Sequence, residues 1–248
     1  MSSLADKVVL ITGGSKGIGA ATATAFVNAG ARVAVNYGRD TTQAEKFVNE
    51  LGPKHAFAVQ ADAGSIAGAE KMVKETVEKY GTIDVLILNA GVLPMKTVET
   101  TSEQDFDSTF ALNVKGPYFL VQKALPHLKP GSRIIFVSTS VMHASTLSPP
   151  YTLYASTKGA IEQMTHAMAK DLASKGINVN AVAPGPTATE LLLKGKSEQM
   201  INTIAGFSPF HKLGEPAELA DVFVFLASEG SRWISGQVIL VNGAFSFQ

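Results

Sequence analysis

The 248-residue sequence has no cysteine, so disulfide bonds, thiol catalysis and cysteine-ligated metal sites are all excluded. Charge of one sign is not in excess either, because 21 Lys and Arg residues balance 21 Asp and Glu residues. A neutral chain gives no electrostatic reason to expect a nucleic acid or an anionic membrane as a partner. The chain begins without a secretory signal, and its apolar runs are shorter than the ~20 residues that span a bilayer. We therefore expect a cytoplasmic protein with no membrane partner.

Spacing typical of a metal site is also lacking. The five histidines lie at positions 55, 127, 143, 166 and 211, and none belongs to an H-E-x-x-H motif or a similar cluster. No metal is therefore predicted.

What the sequence does contain is an alternation of short apolar runs with segments of helical length. The runs are rich in Val and Ile and apolar nearly throughout, which is typical of strands covered on both faces. The predicted strands are 8–11, 32–35, 55–60, 85–89, 133–138, 178–182 and 237–241, and the predicted helices include 17–29, 41–51, 65–80 and 102–128. This alternation predicts an α/β fold in a single domain over residues 1–248, with a Rossmann-type doubly wound parallel sheet of about seven strands flanked by helices.

The first predicted strand is followed by a glycine-rich loop, “TGGSKGIG”, and then by a helix. Glycines at this position let backbone N–H groups approach a pyrophosphate at the helix N-terminus. The spacing of Gly13, Gly17 and Gly19 is G-x-x-x-G-x-G rather than the commoner G-x-G-x-x-G. We favour a dinucleotide site as the interpretation, and the alternative is a tight turn of small residues that serves packing.

The end of the second strand, “VAVNYGRD”, bears on which dinucleotide binds. NAD-binding folds often place an acidic residue ~20 residues beyond the glycines, where it holds the ribose 2′-hydroxyl. Here that position falls near Asn36 or Tyr37, neither of which is acidic, and Arg39 follows closely. Together with Lys16 in the glycine loop, this arrangement suits a 2′-phosphate and favours NADP(H). Asp40 is the opposing observation, and the alternative is that both cations are solvated surface charges.

Further motifs follow the glycine loop along the chain. They are Asp62 after the third strand, “NAG” at 89–91, “ALNVKGPYFL” with Asn113, “VSTS” at 137–140, “YASTK” at 154–158, “NAVAPGP” at 180–186 and “ISGQVILVNGAF” at 234–245. In this order, and over nearly the whole chain, they resemble the short-chain dehydrogenase/reductase family, with similarity to its NADPH-dependent 3-oxoacyl-carrier-protein and carbonyl reductases. One departure is “VNGAF”, where the family commonly has “VDGG”. The resemblance implies an NADP(H)-dependent oxidoreductase that acts on CH–OH or C=O groups.

The resemblance further implies an active site made of a tyrosine, a lysine four residues later, a hydroxyl residue and an asparagine. Tyr154 and Lys158 share a helix face because they are four residues apart. A free tyrosine has a pKa of ~10, and the Lys158 cation is expected to lower the pKa of Tyr154. Tyr154 would then exchange a proton with a carbonyl or an alcohol. Tyr151 has Ala155 at the equivalent spacing, and is predicted to shape the substrate site or to pack.

The hydroxyl partner of Tyr154 is open between two neighbours. Counting from the start of the fifth strand places the family's catalytic hydroxyl at Thr139, whereas counting back from Tyr154 gives Ser140 as the nearest hydroxyl. Either hydroxyl can steady a developing oxyanion, and we favour Thr139. The resemblance also implies that Asn113 holds a water next to Lys158, and the alternative for Asn113 is a role in packing or in a helix kink.

The resemblance also assigns a cofactor site. Asp62 would accept a hydrogen bond from the adenine amino group beside the backbone of Ala63, although Asp62 is alternatively a helix cap. Residues 89–91 would line the adenosine ribose, residues 184–185 would shape the turn over the nicotinamide, and the threonines at 187 and 189 would contact the carboxamide or the phosphates. The complete predicted set is Gly13, Ser15, Lys16, Gly17, Ile18, Gly19, Asn36, Tyr37, Arg39, Asp62, Ala63, Asn89, Ala90, Gly91, Tyr154, Lys158, Pro184, Gly185, Thr187 and Thr189.

A long irregular segment follows the sixth strand. Its part at about 186–210 is predicted to form a substrate lid, because long connections in compact domains are often binding loops. Packing of this segment against the body of the domain is the alternative. The residues predicted to line the substrate pocket are Met95, Met142, His143, Leu147, Tyr151, Leu191 and Leu192, with a surface position as the alternative for His143. The apolar character of this set favours a moderately hydrophobic ketone or aldehyde without a large anionic tail.

The leading functional prediction is an NADPH-dependent carbonyl reductase in which Tyr154 is the general acid. The alternatives are an NAD-dependent alcohol dehydrogenase working in the oxidative direction and a catalytically silent dinucleotide-binding module. The resemblance also implies a homotetramer or homodimer, with interfaces at about 102–128 and 154–174.

Overall fold

The strands of the computed structural model, which describes residues 4–145 and 147–247, form one parallel sheet. They are β1 (Val8–Ile11), β2 (Arg32–Tyr37), β3 (Ala56–Gln60), β4 (Val85–Leu88), β5 (Arg133–Val137), β6 (Asn178–Pro184) and β7 (Val238–Val241). Within the described residues, the sheet has seven strands in the order β3-β2-β1-β4-β5-β6-β7. Every neighbouring pair is parallel. The predicted Rossmann-type sheet is therefore confirmed.

Helices connect the strands and cover both faces of the sheet. They are α1 (Gly17–Asn28), α2 (Thr41–Leu51), α3 (Ile66–Tyr80), α4 (Glu103–Phe110), α5 (Gly116–Ala124), α6 (Thr152–Leu172), α7 (Glu190–Leu193), α8 (Glu198–Ala205) and α9 (Pro216–Ala227). Among the described residues, no helix combines the length and the apolar character that are needed to cross a membrane.

The predicted helix at 102–128 is not one regular helix. A π-helical turn, Ala111–Lys115, separates α4 from α5. The turn brings the start of α5 against the loop after β3, where a Cβ on Gly116 would overlap the Ala63 carbonyl oxygen. Apolar periodicity does not reveal the extra residue of a π-turn, because the flanking turns keep their α-helical pattern.

Alternating residues of each central strand enter different cores on the two faces of the sheet. Leu10 of β1 packs in the core that contains Met72 of α3, whereas Val9 packs in the opposite core with Phe26 of α1 and Phe223 of α9. Because both faces are covered, polar side chains are tolerated mainly where the strands end.

The loops that carry the predicted site residues all leave the same edge of the sheet. The strand order runs outward from β1 to β3, then returns to β4 on the other side of β1. Doubly wound sheets bind ligands at such a reversal, outside the carboxyl ends of the strands. The glycine loop follows β1, the “NAG” motif follows β4 and the predicted hydroxyls follow β5, so the fold brings these three motifs to one edge.

Candidate active site

Tyr154 and Lys158 lie one turn apart on α6, on a face that meets the end of β5. Lys158 is only 5% exposed, and its Nζ donates a hydrogen bond of 2.8 Å to the Val137 carbonyl oxygen. The same Nζ lies 5.6 Å from the centroid of the Tyr154 ring. Tyr151 occupies the N-cap position of α6 without a side-chain capping bond, and its ring centroid is 6.4 Å from that of Tyr154. The structure therefore brings Tyr154 together with Lys158 and places Tyr151 beside them.

Burial governs the protonation of this pair. Burial raises the pKa of Tyr154 to about 12, although a hydrogen bond with the Thr139 side chain lowers it in part. Burial also lowers the pKa of Lys158 to about 8. The predicted lowering of the Tyr154 pKa is thus wrong for this structure, because the loss of water around the phenolate dominates. Tyr154 keeps its proton at neutral pH, while Lys158 remains largely charged.

Three consecutive hydroxyl residues follow β5, and only the middle one contacts Tyr154. Successive side chains of an extended chain point to opposite sides. Ser138 donates a hydrogen bond of 2.7 Å to Oε1 of Glu162, and Ser140 donates one of 3.0 Å to the last carbonyl oxygen of β6. Oγ1 of Thr139 accepts a hydrogen bond of 3.3 Å from the Val141 N–H, and the Thr139 side chain also lowers the pKa of Tyr154. Both candidates that the sequence leaves open therefore have a structural partner, and Thr139 is favoured because it also interacts with Tyr154.

Asn113 lies in the π-helical turn and is 1% exposed. Its Nδ2 donates to the Val92 carbonyl oxygen at 3.0 Å and to Oγ1 of Thr157 at 3.1 Å, and its Oδ1 accepts from the Val92 N–H at 2.9 Å. The side chain therefore ties the loop after β4 to α6. An amide oxygen has two lone pairs, so Oδ1 can accept one further hydrogen bond, for example from a water.

Gly91 borders the space between Asn113 and Lys158. A Cβ built on Gly91 would lie 3.3 Å from Oδ1 of Asn113 and 3.6 Å from Nζ of Lys158. The two polar groups thus face a common space that exists because residue 91 has no side chain.

The glycine loop after β1 fits the pyrophosphate of a dinucleotide. Gly13 and Gly17 have φ angles of +60° and +54°, which side-chain-bearing residues rarely adopt. A Cβ on Gly19 would overlap the Gly13 carbonyl oxygen, so the close packing of α1 on this loop requires glycine. Lys16 is the N-cap of α1 but makes no side-chain capping hydrogen bond. The N–H groups of the first turn can therefore bind an anion.

Asn36, which the sequence predicts as a cofactor residue, lies beneath the glycine loop. It is 1% exposed, and its Oδ1 accepts a hydrogen bond from the Gly13 N–H. Its Nδ2 donates to the carbonyl oxygens of Tyr37, Val59 and Ala61. The predicted contact of the Asn36 side chain with a cofactor is therefore replaced by a structural role, because the protein itself uses these groups. Tyr37 is also buried, at the end of β2.

The predicted partners of a 2′-phosphate, Lys16 and Arg39, are both exposed next to this loop. Nζ of Lys16 lies 2.8 Å from Oδ2 of Asp40 and 4.0 Å from Oε2 of Glu190. Asp40 also caps α2 by accepting a hydrogen bond from the Gln43 N–H. The Lys16 side chain lowers the pKa of Asp40. A bound phosphate would therefore compete with Asp40 for Lys16.

The remaining predicted cofactor residues lie along the same edge of the sheet. Oγ1 of Thr12 accepts hydrogen bonds of 3.0 Å from the N–H groups of Asn89 and Ala90, which fixes the “NAG” motif against β1. Asp62 is exposed, and its Oδ1 accepts from the Gly64 N–H at 2.9 Å, while Ser65 is the N-cap of α3. Asp62 therefore shapes the turn before α3 and is not its N-cap.

The threonine hydroxyl groups after β6 form hydrogen bonds within their own segment of the chain. Thr187 is 5% exposed and donates a hydrogen bond of 2.8 Å to the Gly185 carbonyl oxygen. Thr189 caps α7, and its Cγ2 lies 3.3 Å from where a Cβ of Gly17 would be. The start of the predicted lid thus rests on the glycine loop.

Two loops with predicted substrate residues are joined across the front of the site. The N–H of Lys96 donates a hydrogen bond of 2.8 Å to the Pro150 carbonyl oxygen. This bond holds Met95, which is 53% exposed, close to the loop that ends at Tyr151. Leu147, Leu191 and Leu192 are exposed or partly exposed, whereas Met142 packs toward α6 at Gly159.

A cavity of about 230 Å³ lies between the turn after β6, the predicted lid and α9. Its lining includes Pro186, Ile204, Ser208, Phe210, Lys212 and Asn242. The cavity therefore lies beside the turn at 184–186, and apolar side chains of the predicted lid form part of its lining.

His143 and Glu162 form a contact that the sequence does not predict. Nε2 of His143 lies 3.1 Å from Oε1 of Glu162, so His143 is turned toward α6 and is neither a free surface residue nor simply a pocket wall. The sequence signal that points to Glu162 is its position four residues after Lys158, on the same helix face. Among the residues that the structure describes, no group of three or more His, Cys, Asp or Glu side chains is arranged to hold a metal ion.

Comparison with known proteins places the chain in a family. A family model described as “Enoyl-(Acyl carrier protein) reductase” matches residues 13–246. The chain is 37% identical to “Short-chain dehydrogenase/reductase GME11373” of Pestalotiopsis microspora, over 97% of this chain and 95% of the relative. It is 36% identical to a probable tetrahydroxynaphthalene reductase of Zymoseptoria tritici, over 98% and 96% of the two chains. The solved structure of the angucycline C-6 ketoreductase LanV with bound NADP has a TM-score of 0.91 and 36% identity, over 98% of this chain and 97% of that one. The chain belongs to the short-chain dehydrogenase/reductase family of oxidoreductases.

Proposed function

We propose that the chain is an NADPH-dependent carbonyl reductase that acts on a moderately hydrophobic ketone or aldehyde. The observation that carries the proposal is a partly buried Tyr154 that keeps its proton, has its ring centroid 5.6 Å from Nζ of Lys158 and interacts with the Thr139 side chain. Reduction of a carbonyl needs a proton donor, whereas oxidation of an alcohol needs a base. A protonated Tyr154 can fill the first role at neutral pH, and the same group would take the proton back in the oxidative direction. The positive charge of Lys16 and Arg39, which suits NADPH, is what favours the proposal over an NAD-dependent alcohol dehydrogenase.

The proposed reaction adds a hydride to the carbonyl carbon and a proton to the carbonyl oxygen. The hydride would come from NADPH when that cofactor is bound. Tyr154 donates the proton from its Oη, and the Thr139 hydroxyl donates a hydrogen bond that steadies the developing negative charge on the substrate oxygen. The Lys158 ammonium stabilises the phenolate that remains, because an opposite charge favours the ionised form. Lys158 and a water bound at Asn113 then return a proton to Tyr154.

The cofactor NADP(H) fits the residues around the glycine loop. Gly13, Gly17 and Gly19 leave the backbone open to a pyrophosphate, and Lys16 and Arg39 offer positive charge to a 2′-phosphate. The LanV structure, which is similar over nearly its full length, was solved with bound NADP. Both observations support NADPH over NADH.

The segment at about 186–210 is proposed to cover the substrate. It begins against the glycine loop at Thr189, and it carries exposed apolar side chains at Leu191, Met200 and Phe207. An apolar lid next to an apolar cavity suits a hydrophobic substrate. The names of two similar proteins, a tetrahydroxynaphthalene reductase and an angucycline ketoreductase, make flat cyclic ketones the first compounds to try.

The decisive test is NADPH consumption over a panel of ketones by the wild type and by Tyr154→Phe. The panel includes tetrahydroxynaphthalene, simple quinones, aliphatic ketones and aldehydes. We expect turnover of at least one cyclic ketone, and a fall of about 10²- to 10⁴-fold in kcat in Tyr154→Phe with NADPH binding retained. Full turnover by Tyr154→Phe on a substrate that the wild type reduces would refute the role of Tyr154. NADPH binding without turnover on any carbonyl compound would favour the silent module.

A cytoplasmic homotetramer or homodimer is proposed for the assembled enzyme. Phe106 of α4 is 46% exposed and stacks on Phe110, and Tyr118 of α5 is 47% exposed. Aromatic side chains on these two helices suit an interface with a second copy. Light scattering after size-exclusion chromatography measures the assembly, and a monomeric mass at micromolar concentration would contradict it. Cell fractionation tests the location.

A further inference from the structure

Glu162 is a buried carboxylate for which the proposed reaction has no use. It is 7% exposed and follows Lys158 by one helical turn. Residues 154, 158 and 162 therefore form one stripe along α6. Burying a carboxylate is unfavourable unless hydrogen bonds compensate it, so the partners of Glu162 indicate what the residue holds in place.

One oxygen of Glu162 contacts both ends of the segment that carries Thr139. Oε1 accepts a hydrogen bond of 2.7 Å from Oγ of Ser138 and lies 3.1 Å from Nε2 of His143. Between Ser138 and His143 the chain leaves β5, presents Thr139 and folds into a short 3₁₀ turn, Ser140–His143. The carboxylate thus fixes the segment 138–143 onto α6 at its beginning and at its end.

The three residues of the stripe meet neighbouring parts of the same strand end. Lys158 donates to the Val137 carbonyl oxygen, and Glu162 accepts from the side chain of Ser138. The third residue, Tyr154, interacts with the side chain of Thr139, which lowers its pKa. The direction of the Thr139 hydroxyl relative to the Tyr154 phenol therefore depends on how residues 137 and 138 are held on the helix. A shift of this segment would separate the two hydroxyl groups that act on the substrate oxygen.

We propose that Glu162 is a positioning residue, whose carboxylate holds segment 138–143 on α6 and so keeps the Thr139 hydroxyl directed at the reacting oxygen. This inference rests on the proposed carbonyl reductase function. His143 has the same positioning role, because its contact with Glu162 fixes the far end of the segment. We therefore expect that loss of the Glu162 carboxylate lowers kcat only when the Thr139 hydroxyl is present, and that it changes NADPH binding little.

The test is a double-mutant cycle between Glu162 and Thr139. Glu162→Gln keeps the shape of the side chain but removes the charge that both partners share. We expect kcat for the best ketone to fall by about 10- to 100-fold, because a small misplacement of a reacting group has effects of this size. In a Thr139→Val background, where the positioned hydroxyl is gone, the same Glu162→Gln change should leave the residual kcat unchanged within about twofold.

Thr165→Val is the matched control for lost stability. Thr165 is fully buried on α6, and its hydroxyl donates to the Ile161 carbonyl oxygen at 2.9 Å, away from segment 138–143. This variant should lower the Tm without lowering kcat. His143→Ala should lower kcat less than Glu162→Gln does and, like it, should have no further effect in the Thr139→Val background. The dissociation constant for NADPH, measured by its fluorescence, should stay within about threefold of wild type in all variants.

The outcomes separate this inference from the proposed function. Equal losses in kcat from Glu162→Gln in the wild-type and Thr139→Val backgrounds would overturn the positioning role. A lower Tm with an unchanged kcat, as in Thr165→Val, would overturn it as well. Tyr154→Phe is assayed in parallel: if it keeps full turnover, the proposed function fails whatever Glu162 does. If Glu162→Gln does not fold, His143→Ala in both backgrounds gives the same decision.

Discussion

The amino group of Lys158 donates a 2.8 Å hydrogen bond to the Val137 carbonyl oxygen, which joins α6 to the end of β5. This cation is almost completely shielded from water. Burial of this cation lowers the pKa of Lys158 to about 8. The protein therefore keeps a charged group where the charge is unfavourable for folding. This is expected of a residue whose charge serves the reaction more than the stability of the fold.

The stability of the protein should depend on pH through Lys158. The folded pKa of about 8 is below the ordinary value of 10.5, so between these values the unfolded chain binds more protons. The free energy of unfolding of the wild type, relative to Lys158→Met, should thus rise from pH 8 to pH 10.5 by up to about 3 kcal/mol, and be flat below pH 8. Urea unfolding of both proteins at pH 7 and pH 10 measures the difference. An equal difference at both pH values would contradict the burial of the charge.

Substitutions at Thr139 and Ser140 should separate catalysis from structure. Thr139→Val removes the hydroxyl that interacts with Tyr154 and accepts from the Val141 N–H, so kcat should fall by about 10²-fold with a loss of about 1 kcal/mol of stability. Ser140→Ala removes the bond to the last carbonyl oxygen of β6, and it should cost about 1–2 kcal/mol of stability while kcat stays within a few-fold. Steady-state kinetics and thermal unfolding of the two variants check this. The reverse pattern would assign the catalytic hydroxyl to Ser140.

Charge changes beside the glycine loop should alter cofactor preference. Arg39→Ala and Lys16→Ala should each raise the KM for NADPH by about tenfold and leave the KM for NADH nearly unchanged, because each variant removes a cation offered to the 2′-phosphate. Asp40→Asn should act in the opposite direction, since it frees Lys16 from its 2.8 Å ion pair. Asparagine can still cap α2, so we expect the Asp40→Asn variant to keep the stability of the wild type and to differ from it only in charge. Equal effects on both cofactors would show that these charges do not contact the 2′-phosphate.

Gly91→Ala should interfere with proton return to Tyr154. The new methyl group would lie 3.3 Å from Oδ1 of Asn113 and 3.6 Å from Nζ of Lys158, in the space that both groups border. We expect kcat to fall by about tenfold or more, because the return of a proton to Tyr154 becomes slower than hydride transfer. A solvent deuterium isotope effect that increases in the variant is the readout. An unchanged kcat and isotope effect would mean that no water between these groups takes part.

Much of the fold is readable from the sequence, and the reason is the pattern of burial. Strands such as Val8–Ile11 are covered on both faces, so their apolar runs are distinct from the amphipathic helices beside them. The position of Tyr154 one turn before Lys158 also follows from helix geometry alone.

Other features depend on three-dimensional contacts that local sequence does not contain. Thr139 and Ser140 are equivalent as residue types, and only the direction in which the chain leaves β5 separates them. The sequence suggests a polar cofactor contact for Asn36, but its Oδ1 accepts from the Gly13 N–H and its Nδ2 donates to carbonyl oxygens in and after β3. The sequence predicts a lowered pKa for Tyr154, and this prediction is wrong. The sequence shows the cation of Lys158 nearby but does not show that the phenol loses contact with water.

The π-helical turn that holds Asn113 sets a requirement on the number of residues in the chain as well as on their identity. A π-turn takes up one residue more than an α-helix does over the same rotation, so removing one residue from Ala111–Lys115 would restore a regular helix and leave α4 and α5 in register. The wider turn would be lost, and the Asn113 amide would move away from the Val92 backbone and from Thr157. A deletion of this kind would therefore remove the amide from the site while the rest of the fold stays in place.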